Sequence, residues 1–255
     1  MKVLVCIKQV PDMESKFKVA SNNVWYEDTD LAYRMNEYDE YAVEQAVRLK
    51  EQVGDCDVTV LSIGPERVKE AIKKALAMGC DRGVHINDND YYSKDPYQKA
   101  QMIAEFAKDK SFDIIFTGLQ SQDTGSAQVG VLLGELLELP VVTTIVSFEY
   151  NNGEVTVKRE LEGGKKSIIK VKVPAVFTCQ LGLNEPRYPT LPNIMKAKKK
   201  EILTFEASEL LKVENLVTTA KMAFPEKKGG AQILEGDVAE LVDKVVKILK
   251  EKSLV

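Results

Sequence analysis

Histidine is almost missing from this chain: His85 is the only one. A histidine base paired with a nucleophile, or a metal centre built from several imidazoles, has nothing to be made from. The four cysteines, Cys6, Cys56, Cys80 and Cys179, form no C-x-x-C pair. Neither a zinc site nor a redox dithiol is signalled. They read as small buried hydrophobes in a reducing cytosol, and no metal site is expected. No apolar run approaches the roughly 18 residues of a membrane span. The start, Met1-Lys2-Val3-Leu4-Val5-Cys6-Ile7, is short, lacks a small-residue cleavage site and meets Lys8 at once. It reads as a buried strand, not a signal segment. A formal net charge of −4 gives no global attraction for nucleic acid or anionic lipid. Neither G-x-G-x-x-G nor a Walker loop occurs, so hydride and phosphoryl transfer are unsupported.

What is present is ordinary globular composition, 44% hydrophobic and 29% charged over 255 residues. Short apolar β-type runs at 2–7, 57–63, 82–86 and 112–118 alternate with helical patterns at 36–50, 66–78, 94–109 and from Ala127 to Leu139. Asn36 is a plausible N-cap for the first helix. Val10-Pro11-Asp12 and Gly64-Pro65 break the first two strands. Alternation of this kind predicts a parallel sheet with helices on both faces. The pattern then changes to short alternating strands at 143–150, 154–159 and 168–172, with a hairpin signal at Asn151-Asn152-Gly153. A buried strand follows at 174–179. Residues 203–211 are mixed, 225–230 read as a linker, and 237–252 form an amphipathic helix.

Three segments have chemistry to offer. Gly118-Leu119-Gln120-Ser121-Gln122-Asp123-Thr124-Gly125-Ser126-Ala127-Gln128-Val129 lies between a strand and a helix. Small residues there let a ligand approach the backbone, and free amides at a helix start favour phosphate. The bland alternative is a polar βα loop with a cap. Asn184-Glu185-Pro186-Arg187-Tyr188-Pro189-Thr190-Leu191-Pro192-Asn193-Ile194-Met195-Lys196 is fixed by three prolines and sets apolar residues beside lysines that run on to Lys200. It reads either as a protein-docking loop or as a buried connection with a solvated lysine face. Glu160 and Glu162 invite an acid–base reading, but solvated surface charge explains them better.

Together with Val5–Asp12, Met35–Glu44 and Ala75–Gly83, these segments resemble the β subunit of electron-transfer flavoproteins. The likeness spans residues 1 to about 205 and is most specific at Asn184–Lys200. It implies a flavodoxin/Rossmann-like α/β fold with a parallel sheet, a β-hairpin extension and a C-terminal arm. It implies a nucleotide-binding domain at 1–200 and an arm at 201–255 packing on an α subunit that holds most of the FAD. The β subunit of this family carries AMP, or a second FAD in electron-bifurcating members, which would oxidise NADH. By resemblance the site uses Cys6, Lys8, Asn36, Glu37, Tyr38, Asp39, Ile63 and the loop from Gly118 to Val129. The docking segment uses Asn184, Glu185, Pro186, Arg187, Tyr188, Leu191, Pro192, Ile194, Met195 and Lys196, with Leu191 the anchor for acyl-CoA dehydrogenases. Glu160 matches a residue that tunes mobility of the FAD domain.

The implied role is a cytoplasmic electron carrier of fatty acid oxidation, not an enzyme by itself. It would run between acyl-CoA dehydrogenases and a membrane quinone oxidoreductase. The family loop usually carries Lys or Arg where this chain has Leu119. That departure keeps the second-FAD alternative open, while the intact docking segment places AMP ahead. A stand-alone AMP-binding regulator would need neither the docking segment nor the arm. A self-contained oxidoreductase lacks its fingerprint.

Overall fold

A computed structural model describes residues 1–226 and 229–255. Residues 227 and 228 of the linker read at 225–230 lie outside the described residues. Two compact units are present, Met1–Met222 and Ala223–Val255.

The first unit is built on a parallel sheet. β1 (Lys2–Ile7) lies at its middle, flanked by β4 (Asp57–Gly64) and β6 (Ile114–Gly118). β5 (Arg82–Asn87) continues one side and β10 (Ala175–Cys179) the other. β7 (Val141–Asn151) runs parallel to β10 and then forms an antiparallel meander with β8 (Glu154–Glu160) and β9 (Lys166–Lys172). β11 (Ile202–Glu206) adds a parallel edge strand beside β5. The nine strands run β11-β5-β4-β1-β6-β10-β7-β8-β9. The mixed pattern at 203–211 is therefore a strand followed by a short helix, and the sheet continues past residue 200.

The helices divide between the faces as the side-chain alternation of β1 dictates. Val3, Val5 and Ile7 join one core with α1 (Glu37–Val53) and α2 (Lys69–Met78). Leu4 and Cys6 join the other, with α3 (Pro96–Ala107) and α4 (Val129–Leu136). Ala42, Val43, Ala46, Val47 and Leu49 form the buried stripe of α1. α3 starts at Pro96, not residue 94, because Asp95 caps it by accepting from Gln98 N.

Three short elements depart from the sequence reading. Val10-Pro11-Asp12 does not simply end the first strand. The chain pairs again as β2 (Gln9–Pro11) with β3 (Tyr33–Met35), a two-stranded ribbon outside the main sheet. Asn36 stands at the N-cap of α1, yet its side chain makes no cap bond and is used elsewhere. The proline-fixed segment contains α5 (Leu191–Ala197), with Thr190 as its cap, so Leu191 is helical rather than in an extended loop. α6 (Ala207–Leu210) closes the main sequence of elements. In the second unit, Asp237 caps α7 (Val238–Glu251), accepting from Glu240 N at 2.9 Å. No helix among the described residues is long and apolar enough to cross a membrane.

Candidate nucleotide site

From β1 the chain steps outward through β4 and β5, then returns to place β6 on the other side of β1. That reversal is a topological switch point, where open parallel sheets bind ligands. A cavity of about 340 Å³ opens there, lined by Cys6, Ile7, Leu61, Ile63, Thr117 and Gly118 at the carboxyl ends of the three strands.

The buried carboxylate of Asp39 organises one wall. Its Oδ2 accepts from Lys8 N at 2.6 Å, and its Oδ1 accepts from Gly118 N at 3.1 Å and Asn36 Nδ2 at 3.0 Å. Burial pushes its carboxyl up to about 7, against the pull of those donors and of Lys8. Burial likewise raises the Cys6 thiol, with Asp39 adding to the effect. Cys6 is thus no nucleophile here. Gly118 has to be glycine because a Cβ would collide with Asp39 Oδ1 and Tyr38 Cβ.

The loop after β6 is pinned to the start of α1. Asn36 Nδ2 donates to Gln120 O at 2.8 Å, and Asn36 Oδ1 accepts from Gln122 N at 3.0 Å. This is why its side chain caps nothing. Gln122 Nε2 donates to Glu37 Oε2 at 2.9 Å, and Gln120 Nε2 to Tyr38 OH at 3.3 Å. Lys8 Nζ reaches Asp123 at 2.6 Å and Ser121 Oγ at 3.2 Å. Gly125 and Ala127 have φ of 59° and 53°, so the loop turns through the left-handed region before α4.

Beyond that turn, the backbone N–H groups of Ser126 through Gly130 meet no acceptor among the described residues. These residues line the cavity. Unsatisfied amides at a helix start carry partial positive charge and suit an anion. An apolar compartment beside such amides matches the two halves of a nucleotide, a base and a phosphate.

Of the residues singled out by sequence, Cys6, Lys8, Asn36, Asp39, Ile63, Gly118, Leu119, Gln120, Ser121, Thr124, Ser126, Ala127, Gln128 and Val129 line the cavity. Glu37, Tyr38, Gln122, Asp123 and Gly125 do not. The first four hold the loop from behind, and Gly125 turns it. Sequence reasoning missed Trp25, Tyr91, Tyr92, Lys94, Lys99 and residues 217–219. Tyr91 to Lys94 follow β5, another carboxyl strand end, so the switch-point rule could have found them. Trp25 stacks on Tyr26 with ring centroids 4.5 Å apart and is positioned by no local motif. Residues 217–219 are held through Asp95 Oδ2, which accepts from Leu216 N and Val217 N.

The second segment, 184–196, lies on the surface. Tyr188 and Leu191 are 93% and 78% exposed, and Met195 is also exposed. The buried-connection alternative is therefore excluded for these side chains. Its base is fixed: Asn184 Nδ2 donates to Tyr41 O at 3.0 Å, and Arg48 to Glu185 O at 3.1 Å. Glu160 sits at the exposed end of β8 and accepts from Gln180 Nε2 at 3.0 Å.

Fold and cavity define an α/β protein with a ligand-sized cavity at the switch point of its parallel sheet. The electron transfer flavoprotein domain matches residues 24–210. Along its whole length the chain is 37% identical over 260 residues to an electron transfer flavoprotein subunit beta from Bacillus subtilis, with 100% of both chains covered. It is 38% identical over 250 residues to that of Bradyrhizobium diazoefficiens (96% and 97% covered). The mouse protein of the same description is 36% identical over 253 residues (98% and 97% covered). The chain belongs to the electron transfer flavoprotein family, as a β-subunit member. Its general role is that of an electron-transfer subunit.

Proposed function

We propose that this chain pairs with an α subunit and carries electrons from acyl-CoA dehydrogenase-type flavoenzymes towards a quinone oxidoreductase, holding AMP in the switch-point cavity. The observation that carries the nucleotide assignment is the run of amides from Ser126 to Gly130, without acceptors among the described residues, in residues that line that cavity. Cys6, Ile63 and Leu61 supply apolar surface for a base, and Asn36 and Asp39 hold the loop in shape. The volume of about 340 Å³ falls within the range of ligand pockets, and the intact docking segment at 184–196 places AMP ahead of a second FAD.

FAD, held mostly by the α subunit, supplies the redox chemistry when bound. This chain contributes a rigid body, a docking surface and an arm. Tyr188, Leu191, Ile194 and Met195 form an exposed apolar group on a fixed base, beside Lys196. That arrangement suits insertion into a pocket of a dehydrogenase with little loss of entropy. Val238, Val242 and Val245 of α7 are exposed apolar residues suited to a partner subunit. Glu160, exposed at the end of β8 and accepting from Gln180, is placed to meet a moving FAD domain of the partner. The four buried free cysteines suit a reducing compartment such as the cytoplasm.

The test uses the purified two-subunit complex. A trace of acyl-CoA dehydrogenase with its substrate should bleach the flavin absorbance fully. Flavin that stays oxidised with every such dehydrogenase, yet is reduced by NADH, would instead support the bifurcating reading.

A further inference from the structure

Three lysines line the cavity: Lys8, Lys94 and Lys99. Two are already committed. Lys8 Nζ is 2.6 Å from Asp123, and Lys94 Nζ is 3.0 Å from Asp88. The Lys99 ammonium, on α3, makes no hydrogen bond or ion pair among the described residues, although its backbone N–H donates to Asp95 O at 3.2 Å. The remaining nearby carboxylate, Asp95, is spent on the backbone N–H groups of Gln98, Leu216 and Val217. Asp39 is spent on Lys8 N, Gly118 N and Asn36. The loop from Leu119 to Gln128 contains no lysine or arginine. Among the described residues, the cavity wall therefore holds one cation without a direct counter-charge, presented by a helix that packs beside α4.

Lys99 is only partly exposed; an ammonium partly withdrawn from water without a partner is destabilised, and an anionic ligand offsets that. We propose that Lys99 pairs with the phosphate of the nucleotide in this cavity and so selects nucleoside phosphates over nucleosides. The proposal rests on the nucleotide reading above and adds the residue that reads the phosphate charge. Burial lowers the Lys99 ammonium to about 8, with Lys8 adding to the effect, while Asp123, Asp88 and Asp95 oppose it. At neutral pH it remains mostly charged, and a bound phosphate would raise its pKa.

The experiment is calorimetric titration of the two-subunit complex, freed of bound nucleotide, with AMP and separately with adenosine. Wild type, Lys99→Met and Lys99→Arg are compared after their melting temperatures have been measured. Lys99→Met should lose roughly tenfold or more in AMP affinity, as expected for a charged hydrogen bond, and keep its adenosine affinity. Lys99→Arg should retain most of the preference for AMP. Wild-type AMP affinity should fall as pH rises through about 8, and the Met variant should lack that fall. An AMP-to-adenosine ratio unchanged in Lys99→Met would overturn the proposal while leaving nucleotide binding intact. A wild-type complex that binds neither compound would remove the nucleotide reading and this assignment with it.

Discussion

Arg187 and Glu44, 143 positions apart, form a two-pronged pair beneath the docking segment: Nε lies 2.8 Å from Oε2 and Nη2 3.1 Å from Oε1. The Glu44 side chain is only 2% exposed and also accepts from Arg48 Nε at 2.6 Å. Arg187 continues to Glu51 at 2.6 Å. The pair ties the segment bearing Tyr188 and Leu191 to the middle of α1.

Arg187→Ala should leave a buried carboxylate with only Arg48 and the backbone N–H of residue 187 to answer it. Breaking such a pair costs on the order of 3 kcal/mol, read as a lower denaturant midpoint. Arg187→Lys should restore little, because an ammonium cannot make the two-pronged contact. The acid limb tests the same pair. Burial alone would raise the Glu44 carboxyl, but Arg187 and Arg48 outweigh it and hold it below 4.5. A lowered carboxyl contributes stability above its unfolded pKa and loses it as pH falls through the folded one. The gap between wild type and Arg187→Ala should therefore be full near neutrality and close below about pH 4.5. A gap that is constant down to acid unfolding would contradict this.

Asp39 carries the opposite sign. Burial raises its carboxyl from 3.8 to about 7, so between those values the folded chain holds a proton that the unfolded chain releases. Its contribution to stability should fall as pH rises from about 4 to about 7 and level off above. Asp39→Asn should abolish that slope. It should also place an amide N–H₂ against the N–H of Lys8 or Gly118, costing roughly 1–3 kcal/mol. Parallel pH–stability curves for the two proteins would refute the assignment.

Gly118→Ala should act on the site before the fold. The added methyl meets Asp39 Oδ1 and Tyr38 Cβ, so β6 and the start of α1 must part. Overpacking of this kind costs about 1–3 kcal/mol. Nucleotide content of the purified complex should fall further than helicity by circular dichroism. Full retention of nucleotide would show that this contact is dispensable.

How much of this was legible beforehand depended on the range of the interactions involved. The strands at 57–63 and 82–86 and the hairpin at Asn151–Gly153 are local patterns. The hairpin turn has φ of 44° at Asn152 and 88° at Gly153, as its Asn-Gly pair demands. β2 and β3 are three residues each and exist only because they meet across a long loop. β11 is mixed in composition because an edge strand is half solvated. α5 hid within prolines, although Pro192 sits in its first turn, where proline is tolerated. At the site, the loop after β6 was readable from its small residues. Trp25, Lys99 and residues 217–219 reach the cavity only through tertiary packing.

Leu191→Ala should weaken docking to a dehydrogenase while leaving the complex as stable as wild type, because Leu191 is 78% exposed. Truncating such an anchor costs roughly 2 kcal/mol or more, appearing mainly in the dissociation rate. The association rate should still fall with salt, since the exposed Lys196, Lys198 and Lys199 remain to steer an acidic partner. A variant with normal docking and a lowered melting temperature would sink the anchor role.

The most direct test of the account is the nucleotide content of the two-subunit complex, extracted after denaturation and identified by chromatography and mass. The account predicts FAD and AMP in equal amounts, with AMP depleted in Gly118→Ala and FAD unchanged. FAD alone, or two FAD per complex with no AMP, would contradict it.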